Sequence, residues 1–99
     1  MIRHIVLWNY STDIPAEDYE KVYETARNLL EPIQQLVPGA ISIQVLRTQI
    51  TSGNREVALI SDFTTKEALE TYIKHPAHVE AGKYILTHLT DRACFDYER

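Results

Sequence analysis

Cysteine is almost absent from this chain, and its scarcity excludes several classes of small protein. Cys94 is the single cysteine among 99 residues, so no disulfide can form within the chain. Secreted domains held together by disulfides and zinc sites built from several cysteines are therefore excluded. Glycine is also scarce: the chain has only Gly39, Gly53 and Gly82, too far apart for a glycine-rich phosphate loop. We therefore expect no nucleotide or other cofactor.

The chain also has no excess of positive charge and no long apolar run. Its 14 acidic and 10 basic residues give a formal net charge of −4, which offers no electrostatic footprint for nucleic acid or anionic lipid. The longest apolar run, from Ile5 to Trp8, is far shorter than the roughly 20 residues that cross a bilayer. The first residues lack the hydrophobic region of a signal peptide. These absences predict a cytoplasmic protein with neither nucleic acid nor membrane as a partner.

The apolar pattern predicts four strands in one domain that spans residues 1–99. The first and third strands are apolar on both faces, which is typical of central strands. A turn is expected at 51–54 between the second and third strands. The expected strands are residues 2–10, 40–50, 57–63 and 92–98.

Two helical regions separate these strands. The first is expected to begin at Pro15 and to kink just before Pro32, because proline interrupts helical hydrogen bonding. The second is expected to begin at a capping box of Thr64 and Glu67 and to be interrupted at Pro76. The resulting order is β-α-β-β-α-β, that of a ferredoxin-like α+β sandwich.

Helices can cover only one face of a four-stranded sheet, and the uncovered face is predicted to be apolar. A soluble monomer rarely exposes a contiguous apolar patch of that size. We therefore expect two copies to pair through their open sheet faces as a homodimeric α+β barrel. The predicted open face consists of Ile5, Leu7, Ala58, Ile60, Ala93 and Phe95.

Three stretches of the chain resemble one known family. They are the opening Ile2–Trp8, the string Tyr72–Val79 with its His-Pro-Ala-His-Val sequence, and the ending Phe95–Tyr97. Together with Pro38-Gly39 before the second strand, they resemble the stress-responsive dimeric A/B barrel (Dabb) family over essentially the whole chain. The resemblance implies a dimeric barrel, and it leaves the function open because the family includes both catalysts and stress proteins.

One plant branch of that family consists of cofactor-independent polyketide cyclases. The resemblance implies that His78 is the general base, with Tyr72, His4 and Asp96 completing the catalytic site. By chemistry, a neutral imidazole is a natural proton acceptor near pH 7, and a carboxylate such as Asp96 can orient a histidine ring. A tyrosine hydroxyl such as that of Tyr72 can stabilise a developing enolate.

The chain departs from that branch at three positions. Leu30 and Val57 stand where the branch has a tyrosine and a histidine, and Arg92 brings a charge to a face that is apolar there. These departures argue against a long aromatic polyketide substrate. The pocket is expected between sheet and helices, with a small apolar or carbonyl-containing ligand. Besides the catalytic residues, its expected lining is Val6, Trp8, Leu59 and Cys94.

Each candidate residue also has a purely structural interpretation. His78 can cap a helix, Tyr72 and His4 can belong to the core, and Asp96 can pair with Arg92. A metal site of His75, His78 and His88 is not expected, because Pro76 disturbs the helix between the first two and no H-E-x-x-H zinc pattern exists.

Three functions therefore remain open. The first is an acid–base enzyme of the cyclase or isomerase type, which removes a proton next to a carbonyl. The second is a non-catalytic stress-responsive homodimer or small-ligand-binding protein. The third is a cofactor-free monooxygenase, which rests on fold analogy alone.

Overall fold

The computed structural model describes residues 1–99 as one four-stranded sheet with three α-helices. The helices are α1 (Tyr19–Leu30), α2 (Lys66–Lys74) and α3 (Pro76–His88), and the strands are β1 (Ile2–Tyr10), β2 (Ala40–Arg47), β3 (Val57–Phe63) and β4 (Leu89–Glu98). Short 3-10 helices lie at Ala16–Asp18 and Glu31–Gln35. The predicted ferredoxin-like order is confirmed. None of the helices combines the length and the apolar composition that a bilayer span requires.

The sheet is antiparallel, with strand order β2-β3-β1-β4. The two strands that are apolar on both faces, β1 and β3, are central as predicted. Burial alternates along β1, where every even-numbered residue is buried under the helices. The pairing of β1 with β4 sets His4 opposite Asp96 and Val6 opposite Cys94. This register places His4, Cys94 and Asp96 together on the helix-covered face.

The other face of the sheet has no helix over it. Its central apolar residues, such as Ile5 and Ile60, are only half-buried. Phe95 and Tyr97 on β4 are 64% and 39% exposed, and their rings lie 5.8 Å apart. Arg3 and Asp62 form an ion pair that also lies on this face. Neither residue was among those predicted for the open face.

Two strand boundaries differ from the prediction. Strand β2 ends at Arg47, where the chain enters a longer loop. One cross-strand hydrogen bond continues past this end, from the N–H of Thr48 to the carbonyl of Glu56. Strand β4 begins at Leu89 and not at Arg92, because Leu89 pairs with Tyr10 at the end of β1. The irregular pairing that follows is accommodated by a β-bulge.

Prolines and caps divide the helices. The predicted kink before Pro32 is confirmed as the change from α1 to a 3-10 helix. The predicted capping box at Thr64 is wrong by one residue: the cap of α2 is Thr65, whose hydroxyl accepts from the N–H of Ala68 at 3.1 Å. The N–H of Thr64 instead donates to the carbonyl of Gly39, which holds Thr64 in the preceding turn.

Candidate active site

A cavity of about 220 Å³ opens between α3 and the helix-covered face of the sheet. Its walls are mainly apolar, and two histidines, His4 from β1 and His78 from α3, are among them. The lining comprises His4, Val6, Trp8, Leu30, Leu59, His78, Gly82, Ile85, Leu86, Leu89 and Arg92. An apolar space with few polar groups is the usual character of a small-molecule site.

His4 is held by a carboxylate. Its Nδ1 lies 2.5 Å from Oδ1 of Asp96, the residue opposite it on β4. The imidazole is buried, whereas the Asp96 side chain is 43% exposed. With a proton on Nδ1 in this hydrogen bond, Nε2 is left for a second partner, as an acceptor in the neutral ring and as a donor in the imidazolium. The sequence reasoning assigned Asp96 to orient His78, and that pairing is wrong, because the β1–β4 register gives Asp96 to His4.

His78 lies in the first turn of α3 and is half-buried. Burial lowers the pKa of His78 from its ordinary value of 6.5, and the nearby His4 and Arg92 act in the same direction. The backbone of Ile73 acts in the opposite direction on the same pKa. The ring is therefore neutral near pH 7, the protonation state that a general base needs.

The aromatic ring of Tyr72 lies beside both histidine rings. Its ring meets His78 edge-to-face at 4.6 Å between centroids and His4 at 6.3 Å. The side chain is fully buried, and its hydroxyl has no hydrogen-bond partner within the protein. Burial raises the pKa of Tyr72, so the hydroxyl keeps its proton. Tyr72 is not part of the cavity wall, although the sequence reasoning placed it there.

Cys94 and Asp96 also lie outside the cavity wall, beside His4. The Cys94 sulfur is 3.9 Å from His4 Nδ1 and 3.7 Å from Asp96 Oδ1. Partial burial raises the pKa of the Cys94 thiol, and the charge of Asp96 adds to the effect. These three side chains are of metal-ligating types. However, two ligands of one tetrahedral zinc ion lie more than about 3 Å apart. The close His4–Asp96 contact is therefore that of a hydrogen bond, and the thiol is not a ready thiolate ligand.

The remaining histidines have local structural roles. His75 caps α3, where its Nδ1 accepts from the N–H of Ala77 at 3.0 Å. His88 stacks on Tyr84 at the other end of that helix, with ring centroids 3.8 Å apart. Neither lines the cavity with His78.

Comparison with known proteins identifies the family of this chain. The model of the stress responsive A/B barrel domain matches residues 2–99. The chain belongs to that family. The stress-response A/B barrel domain-containing protein HS1 of Arabidopsis thaliana is 31% identical to this A/B barrel chain over 101 aligned positions, which cover 98% of the chain and 88% of HS1.

Solved structures agree on the fold of this A/B barrel protein. A dimeric protein of unknown function from Bacteroides fragilis is 30% identical, with a TM-score of 0.89 over 99% of this chain and 95% of the other. An antibiotic biosynthesis monooxygenase superposes with a TM-score of 0.78 over 100% and 98% of the two chains, at 16% identity. That similarity concerns the fold alone and carries no argument for oxygen chemistry.

Several cavity residues of this A/B barrel protein were not found from the sequence. Gly82, Ile85 and Leu86 are spaced three and four residues apart on one face of α3, and their position on the cavity wall depends on how that helix crosses the sheet. The sequence identifies Arg92 as an added charge on β4, and the structure adds that it lines the cavity. The alternation of side chains along β4 could have identified Arg92 as a lining residue, since it shares the face of Cys94 and Asp96.

Proposed function

We propose that this protein is a small cofactor-independent enzyme that moves a proton next to a carbonyl group, in a cyclisation or isomerisation. One observation carries the proposal: two histidines line one apolar cavity, and a carboxylate holds the Nδ1 side of one of them. Structural core histidines need no such arrangement around an open space. Perturbed titratable groups in a cavity are typical of catalytic sites.

In the proposed reaction His78 is the base. Its neutral ring takes the proton from the carbon next to the carbonyl, and the released electron pair moves to the carbonyl oxygen. His4 with both nitrogens protonated donates from Nε2 to that oxygen, while Asp96 stabilises the imidazolium charge through Nδ1. The apolar walls exclude water, which strengthens both interactions. Return of the proton from His78 to a different atom completes an isomerisation.

Tyr72 is proposed as a positioning residue. Its buried ring packs against His78, and its protonated hydroxyl has no partner that would hold it elsewhere. A direct hydrogen bond from this hydroxyl to substrate, as the family resemblance implies, would require the cavity to extend to Tyr72 when the ligand binds.

Deuterium exchange tests the proposal without knowledge of the natural substrate. Benzylacetone, a small apolar ketone, is incubated with the protein in deuterated buffer, and loss of the proton signals next to the carbonyl is followed by NMR. The wild type is expected to accelerate exchange and His78→Ala to lose most of the acceleration, since removal of a general base costs typically about 10²–10⁴-fold. Because the pKa of His78 is lowered, the rate should rise with pH through a pKa below 6.5.

His88→Ala is the matched control, because this imidazole lies on the same helix but outside the cavity wall. Its exchange rate should equal that of the wild type. A wild-type rate no faster than buffer alone, or a His78→Ala rate equal to that of the wild type, would contradict the proposal.

Non-catalytic binding of a small apolar ligand is the second candidate. The position of Tyr72 favours it, because this hydroxyl does not line the cavity. The same experiment separates the two candidates: benzylacetone that binds without exchange identifies a binding protein.

We also propose that two copies of the chain pair through the open face of the sheet. The exposed aromatic residues Phe95 and Tyr97 support this arrangement, and so does the relative from Bacteroides fragilis, which is described as dimeric. The pairing would cover apolar surface that one copy leaves in water. A cytoplasmic location stays a prediction from the sequence.

A further inference from the structure

The cavity wall contains one permanently charged side chain. Arg92 belongs to the wall, and no aspartate or glutamate does. Arg92 is also an exposed residue, so its guanidinium lies on the open side of the cavity and not within the core. Because the guanidinium is exposed, it can stand beside apolar walls without the cost of burying an unpaired charge.

The acidic residues near Arg92 are engaged elsewhere. Arg92 takes part in none of the ion pairs of the structure. Asp96, on the same face of β4, is committed to His4 at 2.5 Å. Asp91, the preceding residue, accepts from the side-chain amide of Asn9 at 3.1 Å. The guanidinium therefore has no carboxylate partner within the chain. It lies close enough to Cys94 to counter part of the rise in the pKa of that thiol, and it can bind an anion from solution.

Arg92 and the proposed base act on the same space. Both line the cavity, and the charge of Arg92 contributes to the lowered pKa of His78. A ligand that fills the cavity can therefore present an anionic group to Arg92 and a carbonyl group to His78. The volume of about 220 Å³ is below the roughly 300–1,000 Å³ that is usual for drug-sized ligands, which favours a short molecule.

We propose that Arg92 binds the carboxylate of the substrate, and that the substrate class is a short apolar keto acid. This inference rests on the proposed acid–base function, because it names the substrate of the same cavity. A guanidinium donates two parallel hydrogen bonds to a carboxylate, which orients the ligand as well as holding it. The apolar tail then lies against residues such as Val6, Leu59 and Leu89.

Two probes with one carbon skeleton test the inference. Benzylpyruvate is a keto acid, and benzylacetone has a methyl group in place of the carboxylate. Their dissociation constants are measured by titration calorimetry on the wild type, on Arg92→Gln and on Lys21→Gln. Lys21→Gln removes the same charge from an exposed position on α1 and is the control for net charge.

The wild type is expected to bind benzylpyruvate more tightly than benzylacetone. The ratio of the two affinities should fall about tenfold in Arg92→Gln. This is the lower end of what the loss of a hydrogen bond to a charged group costs, and we choose the lower end because Arg92 is exposed. Lys21→Gln should keep the preference. Added salt should weaken it in the wild type, since the exposed ion pair is screened. Circular dichroism would verify that each variant is folded.

The outcomes distinguish this inference from the function on which it rests. Equal affinity for the two probes, or a preference that survives in Arg92→Gln, overturns the role of Arg92 and leaves the His78-dependent exchange of benzylacetone untouched. An Arg92-dependent preference without exchange of either probe supports the anion site and overturns the enzyme. Failure of both probes to bind overturns both.

Discussion

Replacing Phe95 with aspartate should dissociate the proposed dimer. The side chain lies on the open face of β4 and is 64% exposed in one copy of the chain. A phenylalanine of roughly 200 Å² would thus bury about 130 Å² more on pairing, which at about 25 cal/mol per Å² is roughly 3 kcal/mol per copy. A two-fold dimer contains the residue twice, so the loss is about 6 kcal/mol. Because association also has ordering costs, we expect about half of this loss in the free energy of dimerisation, roughly 3 kcal/mol. That loss raises the dissociation constant of the dimer by about two powers of ten.

Sedimentation equilibrium at micromolar concentration measures this effect directly. The wild type should have the mass of a dimer and Phe95→Asp that of a monomer. Val79→Asp is the matched control, because Val79 is 50% exposed on α3, in the layer opposite the open face. A monomeric wild type, or a Phe95→Asp variant that associates as tightly as the wild type, would refute the argument for pairing through this face.

Four other predictions concern stability. Gly82→Ala should raise the free energy of unfolding by about 0.5–1 kcal/mol, because Gly82 is inside α3 and an added Cβ meets no atom within 4 Å. Gly39→Ala should lower it by about 1–3 kcal/mol, because Gly39 has φ of +90° and a Cβ would lie 2.7 Å from the Thr64 hydroxyl; equal urea midpoints for the two variants would contradict both expectations. Tyr72→Phe should not lower stability, because it removes a buried hydroxyl without a partner, and a clear drop in melting temperature would mean that the hydroxyl is bonded. Finally, hydrogen bonds from Arg3 hold the pKa of Asp62 below its ordinary value. The stability that Asp62 contributes is therefore complete above pH of about 4 and is lost as the pH falls through its folded-state pKa. In urea unfolding, the difference in stability between the wild type and Asp62→Asn should shrink on acidification. A difference that stays constant with pH would mean that the ion pair is unimportant.

The sequence predicted the fold well because the relevant signals are local. The two-sided apolar character of β1 and β3 indicated central strands, and Pro32 and Pro76 indicated the helix interruptions. The errors occurred where local signals compete. Threonine is a residue type that caps helices, and it stands at both position 64 and position 65. The hydrogen bond from Thr64 to Gly39, far away in the sequence, decides that Thr65 is the cap.

The candidate site was predicted by residue type, and its pairing was not. Histidines at positions 4 and 78 have the chemistry of a general base wherever they lie, so the sequence could nominate them. Which of them Asp96 would serve depends on the register between β1 and β4, two strands at opposite ends of the chain. A shift of one residue would have turned the Asp96 side chain to the open face.

By itself, the amino-acid sequence determined the order of elements, the face that each strand residue occupies and the set of titratable groups on the helix-covered side. These properties follow from periodicity and side-chain chemistry along neighbouring residues. Only the tertiary structure decided that Asp96 holds His4, that Tyr72 is enclosed behind His78, and that Arg92 belongs to the cavity wall. Such contacts join residues far apart in the chain, and strand register and the crossing of α3 over the sheet determine them.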